Sequence, residues 1–188
     1  MIIKRFMTCA ALAALVPLGG CGGEAGNEAA APTENAQKAA GEKTLATGLG
    51  DATKFAEAAK AAGLDATLAG PGPYTVLVPS DAAFDKMPAG ALETLMKPEA
   101  RSDLTAVLTY HILPGAILAD DIGKAIDAGN GKAQLPTMAG GTLTAAREGG
   151  AIVITDGAGT KARLAGEEQR SNGVIHRVDA VLMPGKEA

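Results

Sequence analysis

The chain has 188 residues, of which 47% are hydrophobic, only 3% are aromatic and none is tryptophan, and its net charge is −4. This length suits one domain with appended segments, and a core poor in rings must be filled by Ala, Val, Ile and Leu. An acidic chain without a run of basic residues argues against a nucleic-acid partner.

The first twenty residues are typical of an export signal. Lys4 and Arg5 precede an apolar run over residues 6–18, which is shorter than the roughly 20 residues that a membrane-spanning helix needs. The run ends in "LGGC", which resembles the bacterial lipobox. We therefore predict a lipoprotein signal peptide over residues 1–20, cleavage before Cys21 and lipid attachment to its sulfur. Plain secretion, with a cysteine there by chance, is the alternative.

The cysteines fit this interpretation. Cys9 lies inside the predicted signal, so Cys21 would be the only cysteine left after cleavage, and no disulfide or thiol nucleophile would remain. Several acyl chains anchor a protein stably to a bilayer. Gly22 stands where enteric bacteria use an aspartate to retain lipoproteins at the inner membrane. By analogy, we expect an exported protein anchored to an outer membrane, at its periplasmic face or the cell surface.

Residues 21–43 are predicted to be the lipidated cysteine followed by a disordered tether. Residues 22–43 contain no Val, Ile, Leu or aromatic side chain, so they cannot bury enough apolar area to offset the entropy of ordering. A tether of this kind suits a domain that meets its partner away from the bilayer.

Helical spacing dominates the first part of the globular region, which we place at residues 44–184, before a short tail over 185–188. Apolar residues recur at helix spacing up to Gly63, and a short buried strand is predicted over residues 74–78. Ser80 is placed to cap a short helix, residues 90–96 read as helical, and Pro98 suits the first turn of another helix. The apolar face of that last helix carries Leu104, Val107, Leu108 and His111.

After Gly115 the pattern changes to short strand-like runs. They cover residues 133–138, 141–146, 151–155 and 161–166, and several are separated by glycine-containing turns. The last run, 174–182, is the longest strand candidate, and His176 is the one polar member of an apolar row on one of its faces. Helices followed by a meander of strands predict an α+β domain.

The two histidines are the first candidates for chemistry. His111 and His176 are 65 residues apart in the sequence and both fall on apolar faces, so we interpret them as hydrogen-bonded core residues. A metal-dependent enzyme that uses both histidines is the alternative, although zinc sites usually need three or four protein ligands. The sequence lacks a serine-hydrolase elbow and a phosphate-binding loop. Adjacent carboxylates at 120–121 and 167–168 point apart on a helix or strand, so neither pair makes a shared acid-base site.

Three segments carry a family resemblance. In order, "YTVLVPSDAAF", "LTYHILPG" and "SNGVIHRVDAVLMP" resemble the signature segments of fasciclin (FAS1) domains, and the similarity extends over residues 44–184. The resemblance implies an α+β fasciclin-like fold of helices packed on a twisted β-wedge, with no cofactor and no catalysis. It also implies an extracellular adhesion or matrix-binding module. The family's Tyr-His segment is associated with partner binding, and it falls on Tyr110 and His111.

The predicted function is therefore a membrane-anchored lipoprotein with one FAS1 domain that binds a surface or matrix component. Its expected partners are the membrane, through lipidated Cys21, and an extracytoplasmic protein or polysaccharide of unknown identity. The alternative is a carrier of a small apolar ligand or lipid, because an Ala-rich core can leave an apolar cavity.

Overall fold

Residues 43–185 are described by the computed structural model. The predicted signal peptide, Cys21 and nearly all of the predicted tether lie outside these residues. Within them no helix is long and apolar enough to cross a membrane.

The described region contains six short α-helices. They are α1 Thr53–Ala62, α2 Asp65–Ala69, α3 Asp81–Asp85, α4 Ala91–Leu95, α5 Arg101–Tyr110 and α6 Ala119–Ala128, with single 3₁₀ turns at Ala46–Leu49 and Pro98–Ala100.

Two of the predicted signals at helix ends act as predicted, and two differ in detail. Helix α1 ends at Gly63, which adopts the left-handed conformation with φ 77° and donates its N–H to the helix's last carbonyls. The Ser80 hydroxyl oxygen accepts a hydrogen bond from the Ala83 N–H, 3.2 Å away, and so caps α3. Pro98 begins a 3₁₀ turn rather than α5 itself, and His111 is the C-terminal cap of α5 rather than a member of its face.

Seven strands in the described part of the chain form one mixed sheet in the order β2-β1-β7-β6-β5-β4-β3. They are β1 Tyr74–Pro79, β2 Ile112–Pro114, β3 Lys132–Pro136, β4 Thr142–Glu148, β5 Ala151–Thr155, β6 Lys161–Arg170 and β7 Gly173–Val178. Only β1 and β7 are paired in parallel, with Tyr74 opposite Gly173 and Pro79 opposite Val178. Together with the helices, this sheet confirms the α+β prediction.

Several elements differ from the sequence prediction, including α2 and β2, which were not predicted, and β6, which continues to Arg170. Helix α6 was not predicted, because its apolar stripe is short and includes Gly123 between Ile122 and Ile126. The last strand ends at Val178 instead of continuing to Leu182. Beyond it the chain leaves the sheet, where the Asp179 carboxylate accepts the Arg163 N–H at 2.7 Å.

The buried apolar side chains form two clusters, and β1 contributes to both. Val76 and Val78 point into the first cluster, whereas Leu77 between them belongs to the second. We name the first the helical core, because α1 and α5 supply much of it. The second is the sheet core, because it lies between α6 and the β3–β6 strands. A strand buried on both faces explains the continuous apolar run of β1.

Candidate functional site

His111 connects helix α5 to the chain's last segment. Its Nδ1–H donates to the Val107 carbonyl at 2.8 Å, and its Nε2 accepts the Leu182 N–H at 3.1 Å. The residue is 1% exposed, and the ring of Phe55 packs against it edge-on, 6.1 Å between centroids. Burial lowers the pKa of His111 to about 4, although the Val107 carbonyl and Asp156 act in the opposite direction. The imidazole is therefore neutral at pH 7.

This arrangement bears on the alternative of a two-histidine metal site. A metal binds the lone pair of a neutral imidazole nitrogen. The one available lone pair of the neutral His111 ring, on Nε2, already accepts the Leu182 N–H. The ring as packed therefore has no free nitrogen lone pair with which to bind a metal. Among residues 43–185, no group of three or more His, Cys, Asp or Glu is arranged to hold a metal ion.

His176 lies on β7 and is fully buried. Its Nε2–H donates to the Ile117 carbonyl at 2.8 Å, on the segment that leads into α6. The prediction of two core histidines that hydrogen-bond their neighbours therefore describes both residues. His176 differs in one respect, because its Nδ1 is buried and no group of the described region is within hydrogen-bonding distance. Burial, as the main cause, lowers the pKa of His176, so this ring is also neutral at pH 7.

Tyr110 is 2% exposed and belongs to the sheet core. Its hydroxyl oxygen accepts the Gly157 N–H at 3.2 Å. A side chain at Gly141 would place its Cβ 2.6 Å from the tyrosine ring, so only glycine permits this close approach. The tyrosine contributes to the wall of a surface cleft of about 520 Å³, here named the Tyr110 cleft. The rest of its lining consists of small residues: Ala139, Gly140, Gly141, Thr142, Gly157, Pro184 and Gly185.

The two residues predicted to bind a partner are thus both buried, and they lie in different surroundings. Tyr110 belongs to the sheet core and lines a cleft, whereas His111 packs against Phe55 of the helical core. Partner binding by Tyr110 and His111 stays a prediction, and in this structure only Tyr110 lines a surface that a partner can approach.

Two polar residues that the sequence analysis did not single out hold the surrounding loops. Asp156 accepts the N–H groups of Ala158, Thr160 and Met183 at 2.7–2.9 Å. It thereby fixes the β5–β6 turn to the C-terminal segment. The sequence predicted a glycine-containing turn between the runs at 151–155 and 161–166, but nothing in it shows that the Asp156 carboxylate also reaches residue 183.

The other such residue is Asn172, in the β6–β7 turn. Its amide nitrogen donates to the carbonyls of Leu68 and Gly70 at 2.9 and 2.7 Å, and its oxygen accepts the Leu45 N–H at 2.8 Å. A single side chain therefore joins three segments that are far apart in sequence. It explains why a polar residue occupies this turn of the third signature segment.

Of the further clefts on the surface of the described region, two are relevant to ligand binding. One, of about 390 Å³, has a mostly apolar lining that includes Met87, Pro88, Ala91, Val181 and Met183, and we name it the Met87 groove. The other, of about 290 Å³, lies beside His176 and includes Glu167 and Arg147. We name it the His176 cleft.

These features define a class: an α+β domain in which buried neutral histidines and a few polar side chains join distant backbone segments. A family model described as the fasciclin domain matches residues 50–184. The chain therefore belongs to the fasciclin (FAS1) family, as the three signature segments indicated.

The relatives come from bacteria and animals. The chain is 34% identical to Protein sll1483 of Synechocystis over 146 residues, which is 78% of this chain and 71% of that protein. It is 38% identical to the transforming growth factor-beta-induced protein ig-h3 of Sus scrofa over 129 residues, or 68% of this chain and 17% of the relative. It is 30% identical to the immunogenic protein MPB70 of Mycobacterium bovis over 114 residues, 60% of this chain and 51% of that one.

A solved structure agrees with the fold. It is a FAS1 domain pair from the insect cell adhesion molecule Fasciclin I, with a TM-score of 0.53 and 24% sequence identity. The match covers 69% of this chain and 44% of the other. At this identity the likeness concerns the fold alone.

Proposed function

We propose that the chain is an exported, membrane-anchored lipoprotein whose single FAS1 domain binds a component of a cell surface or matrix. The observation that carries this proposal is membership of the fasciclin family over residues 50–184. The solved relative of the same fold comes from a cell adhesion molecule. The proposed partner is an extracytoplasmic protein or polysaccharide, and the proposal assigns the domain no catalytic step.

The membrane anchor is a separate part of the proposal, because it depends on Cys21, outside the described residues. In a bacterial host that processes lipoproteins, the unaltered chain should sediment with the membrane fraction, and Cys21→Ala should release it into the soluble fraction. Cys9→Ala is the matched control, since it changes the other cysteine and leaves the proposed lipid acceptor in place. Retention of Cys21→Ala on the membrane contradicts the anchor.

The binding part of the proposal concerns the Tyr110 cleft. Binding of the purified chain to cells, envelope proteins and immobilised polysaccharides should be measured by surface plasmon resonance or sedimentation. Thr142→Arg fills the cleft from an exposed position and should weaken binding, whereas Gln134→Arg adds the same charge at an exposed position on neighbouring β3. Absence of binding to every surface tested contradicts the adhesive function. Equal effects of the two variants contradict binding through this cleft.

A carrier of a small apolar ligand is the second candidate, and the Met87 groove is the observation that favours it. The groove has the volume of a small-ligand site, and methionine side chains adapt readily to different apolar ligands. Titration with decanoate, followed through the methyl resonances of Met87 and Met183, tests this function. The methyl of exposed Met138 is the internal reference, because it lies outside the groove. Saturable shifts confined to the groove support a carrier, and parallel shifts of all three methyls contradict it.

A further inference from the structure

The His176 cleft lies where the N-terminus of α6 meets strands β4 to β7. Fully buried His176 contributes to the lining of this cleft, and its Nδ1 has no hydrogen-bond partner within the described region. At about 290 Å³, it has room for one sugar-sized ring.

The hydrogen-bonding character of His176 follows from its partner. Its Nε2 carries the proton, because it faces the Ile117 carbonyl, which only accepts. In the neutral ring Nδ1 must then be an acceptor, and burial keeps the ring neutral. A buried acceptor without a donor costs free energy, so a ligand that supplies a hydroxyl here gains a bond that the protein alone does not make.

Glu167 provides a second acceptor beside the first. Its Oε2 lies 4.0 Å from His176 Nδ1, too far for a hydrogen bond, and it accepts the Ala119 N–H at 2.6 Å. The side chain lines the cleft and is 27% exposed, so it is accessible to a ligand beside the ring. One hydroxyl has a single proton and cannot donate to both acceptors. Two hydroxyls on adjacent carbons can donate one proton to each.

The remaining lining suits a neutral sugar-like ring. Ile152 and Leu164 offer an apolar surface to its C–H face, and the Arg147 guanidinium can donate to ring or hydroxyl oxygens. Arg147 is paired with Asp127 at 3.3 Å, so its charge is compensated. A cationic ligand would be repelled by Arg147 and by the N-terminus of α6, which carries a partial positive charge. An anionic ligand would be repelled by the carboxylates of Glu167 and Asp120. The lining therefore favours a ligand without a net charge.

We propose that the His176 cleft binds a vicinal diol of a pyranose ring, such as a sugar unit of a polysaccharide. One hydroxyl donates to His176 Nδ1 and its neighbour to Glu167. This inference deepens the proposed surface-binding function and rests on it, because it assigns the partner a carbohydrate chemistry and gives that partner a site separate from the Tyr110 cleft.

The test uses the imidazole nitrogens as reporters. Long-range ¹H–¹⁵N spectra of the full chain are recorded during titration with the methyl pyranosides of glucose, galactose and mannose. The Nδ1 resonance of His176 should move saturably with at least one of them, with a Kd in the millimolar range. His111 is the internal control, since both of its nitrogens already have partners. Cyclohexanol, which has a similar ring and a single hydroxyl, can donate to only one of the two acceptors, so it should move the His176 resonance less than a pyranoside does at the same concentration.

A pair of variants separates the site from general charge effects. Glu167→Gln should weaken binding about tenfold, because it replaces a charged acceptor by a neutral one. Glu148→Gln removes the same charge from an exposed pair with Lys161 outside the cleft and should have no effect. No movement of His176 with any pyranoside overturns the inference, as do equal losses in the two variants. If the Nδ1 resonance of His176 does not move while the chain still binds cells, the proposed carbohydrate site is wrong but the proposed surface-binding function is not contradicted.

Discussion

At the scale of single residues, His111 shows how a neutral imidazole can serve as a connector in a small apolar core. The ring receives one backbone N–H and gives one proton to a carbonyl, so it joins α5 to the segment at Leu182 without introducing a charge. A charged ring at this position would lose its hydration, and this cost outweighs the attraction of the Val107 carbonyl and of Asp156, which is why the pKa is lowered. The same connection makes folding sensitive to acid.

We predict that stability falls with acidification below pH 6.5. The pKa of His111 is about 4 in the folded chain and 6.5 in the unfolded one, so the unfolded state binds more protons between these values. The contribution is therefore complete above pH 6.5 and lost as pH falls toward 4. Between pH 7 and pH 5 the free energy of unfolding should drop by about 2 kcal/mol from this residue. Urea titrations at several pH values measure it.

His111→Gln is the matched variant for this prediction. Glutamine can still donate and accept a hydrogen bond but does not titrate, so its stability should vary less with pH by about the amount assigned to His111. The lowered pKa of His176 gives a slope of the same sign in both proteins, and it cancels in the comparison. Identical pH slopes for the two proteins contradict the role given to His111.

Asn172 carries a second prediction at this scale. Asn172→Ala removes three hydrogen bonds and leaves two carbonyls and one N–H of partly buried segments without that partner. At about 1 kcal/mol for each bond, the free energy of unfolding should fall by about 3 kcal/mol. Gln169 lies at the end of β6, just before the same turn, and its side chain is exposed. Gln169→Ala should therefore change the free energy of unfolding by less than about 0.5 kcal/mol. A loss as small for Asn172 as for Gln169 contradicts the prediction.

At the scale of elements, the sequence predicts best where a local signal also decides the structure. Gly63 and Ser80 mark helix ends that the structure confirms, because cap geometry depends on a few consecutive residues. Helix α6 was not predicted, because its apolar face extends over only about two turns and includes Gly123. This face is buried by the strands on which the helix packs. The acidic pair at 120–121 lies in its first turn, where negative charge favours a helix, and is the signal that could have found it.

The candidate site was predictable to a smaller extent. An apolar row on the last strand indicated that His176 is buried, and this is observed. Its partners, Ile117 and Glu167, come from other elements, and no spacing in the sequence brings them together. The strand's early end at Val178 has the same origin. The residues beyond it bind to His111 and Asp156, which are distant in the chain.

The parallel pairing of β1 with β7 leads to an element-scale prediction. Gly173 lies opposite Tyr74, and a Cβ on it would stand 1.9 Å from the Tyr74 carbonyl oxygen. Gly173→Ala should therefore separate the strands and lower the free energy of unfolding by more than about 3 kcal/mol.

Gly166→Ala, at the irregularity of neighbouring β6, is the control for this prediction. Its new methyl would meet nothing closer than Arg177 Cγ at 3.9 Å, an ordinary contact. Urea titrations of both variants measure the difference. Similar stabilities for the two contradict the assigned close approach.

At the scale of the whole molecule, the two cores share the strands that separate them. Along β7, Ile175 belongs to the helical core and Val178 to the sheet core. The segment after β7 repeats the pattern, with Val181 in the helical core and Leu182 in the sheet core. Loss of either core would therefore expose side chains of strands that the other core needs, so the two should unfold together.

The chain's two tyrosines allow this cooperativity to be measured. Tyr74 packs against the helical core and Tyr110 lies in the sheet core, and the chain has no tryptophan to mask their fluorescence. Tyr110→Phe leaves a reporter of the first core, and Tyr74→Phe leaves a reporter of the second. In each variant the urea midpoint from tyrosine fluorescence should coincide with that from far-ultraviolet circular dichroism, as two-state unfolding requires. Comparing the two signals within one variant removes the effect of the substitution on stability. Separate midpoints in either variant would show that one core persists without the other, and the shared strands would then not couple them.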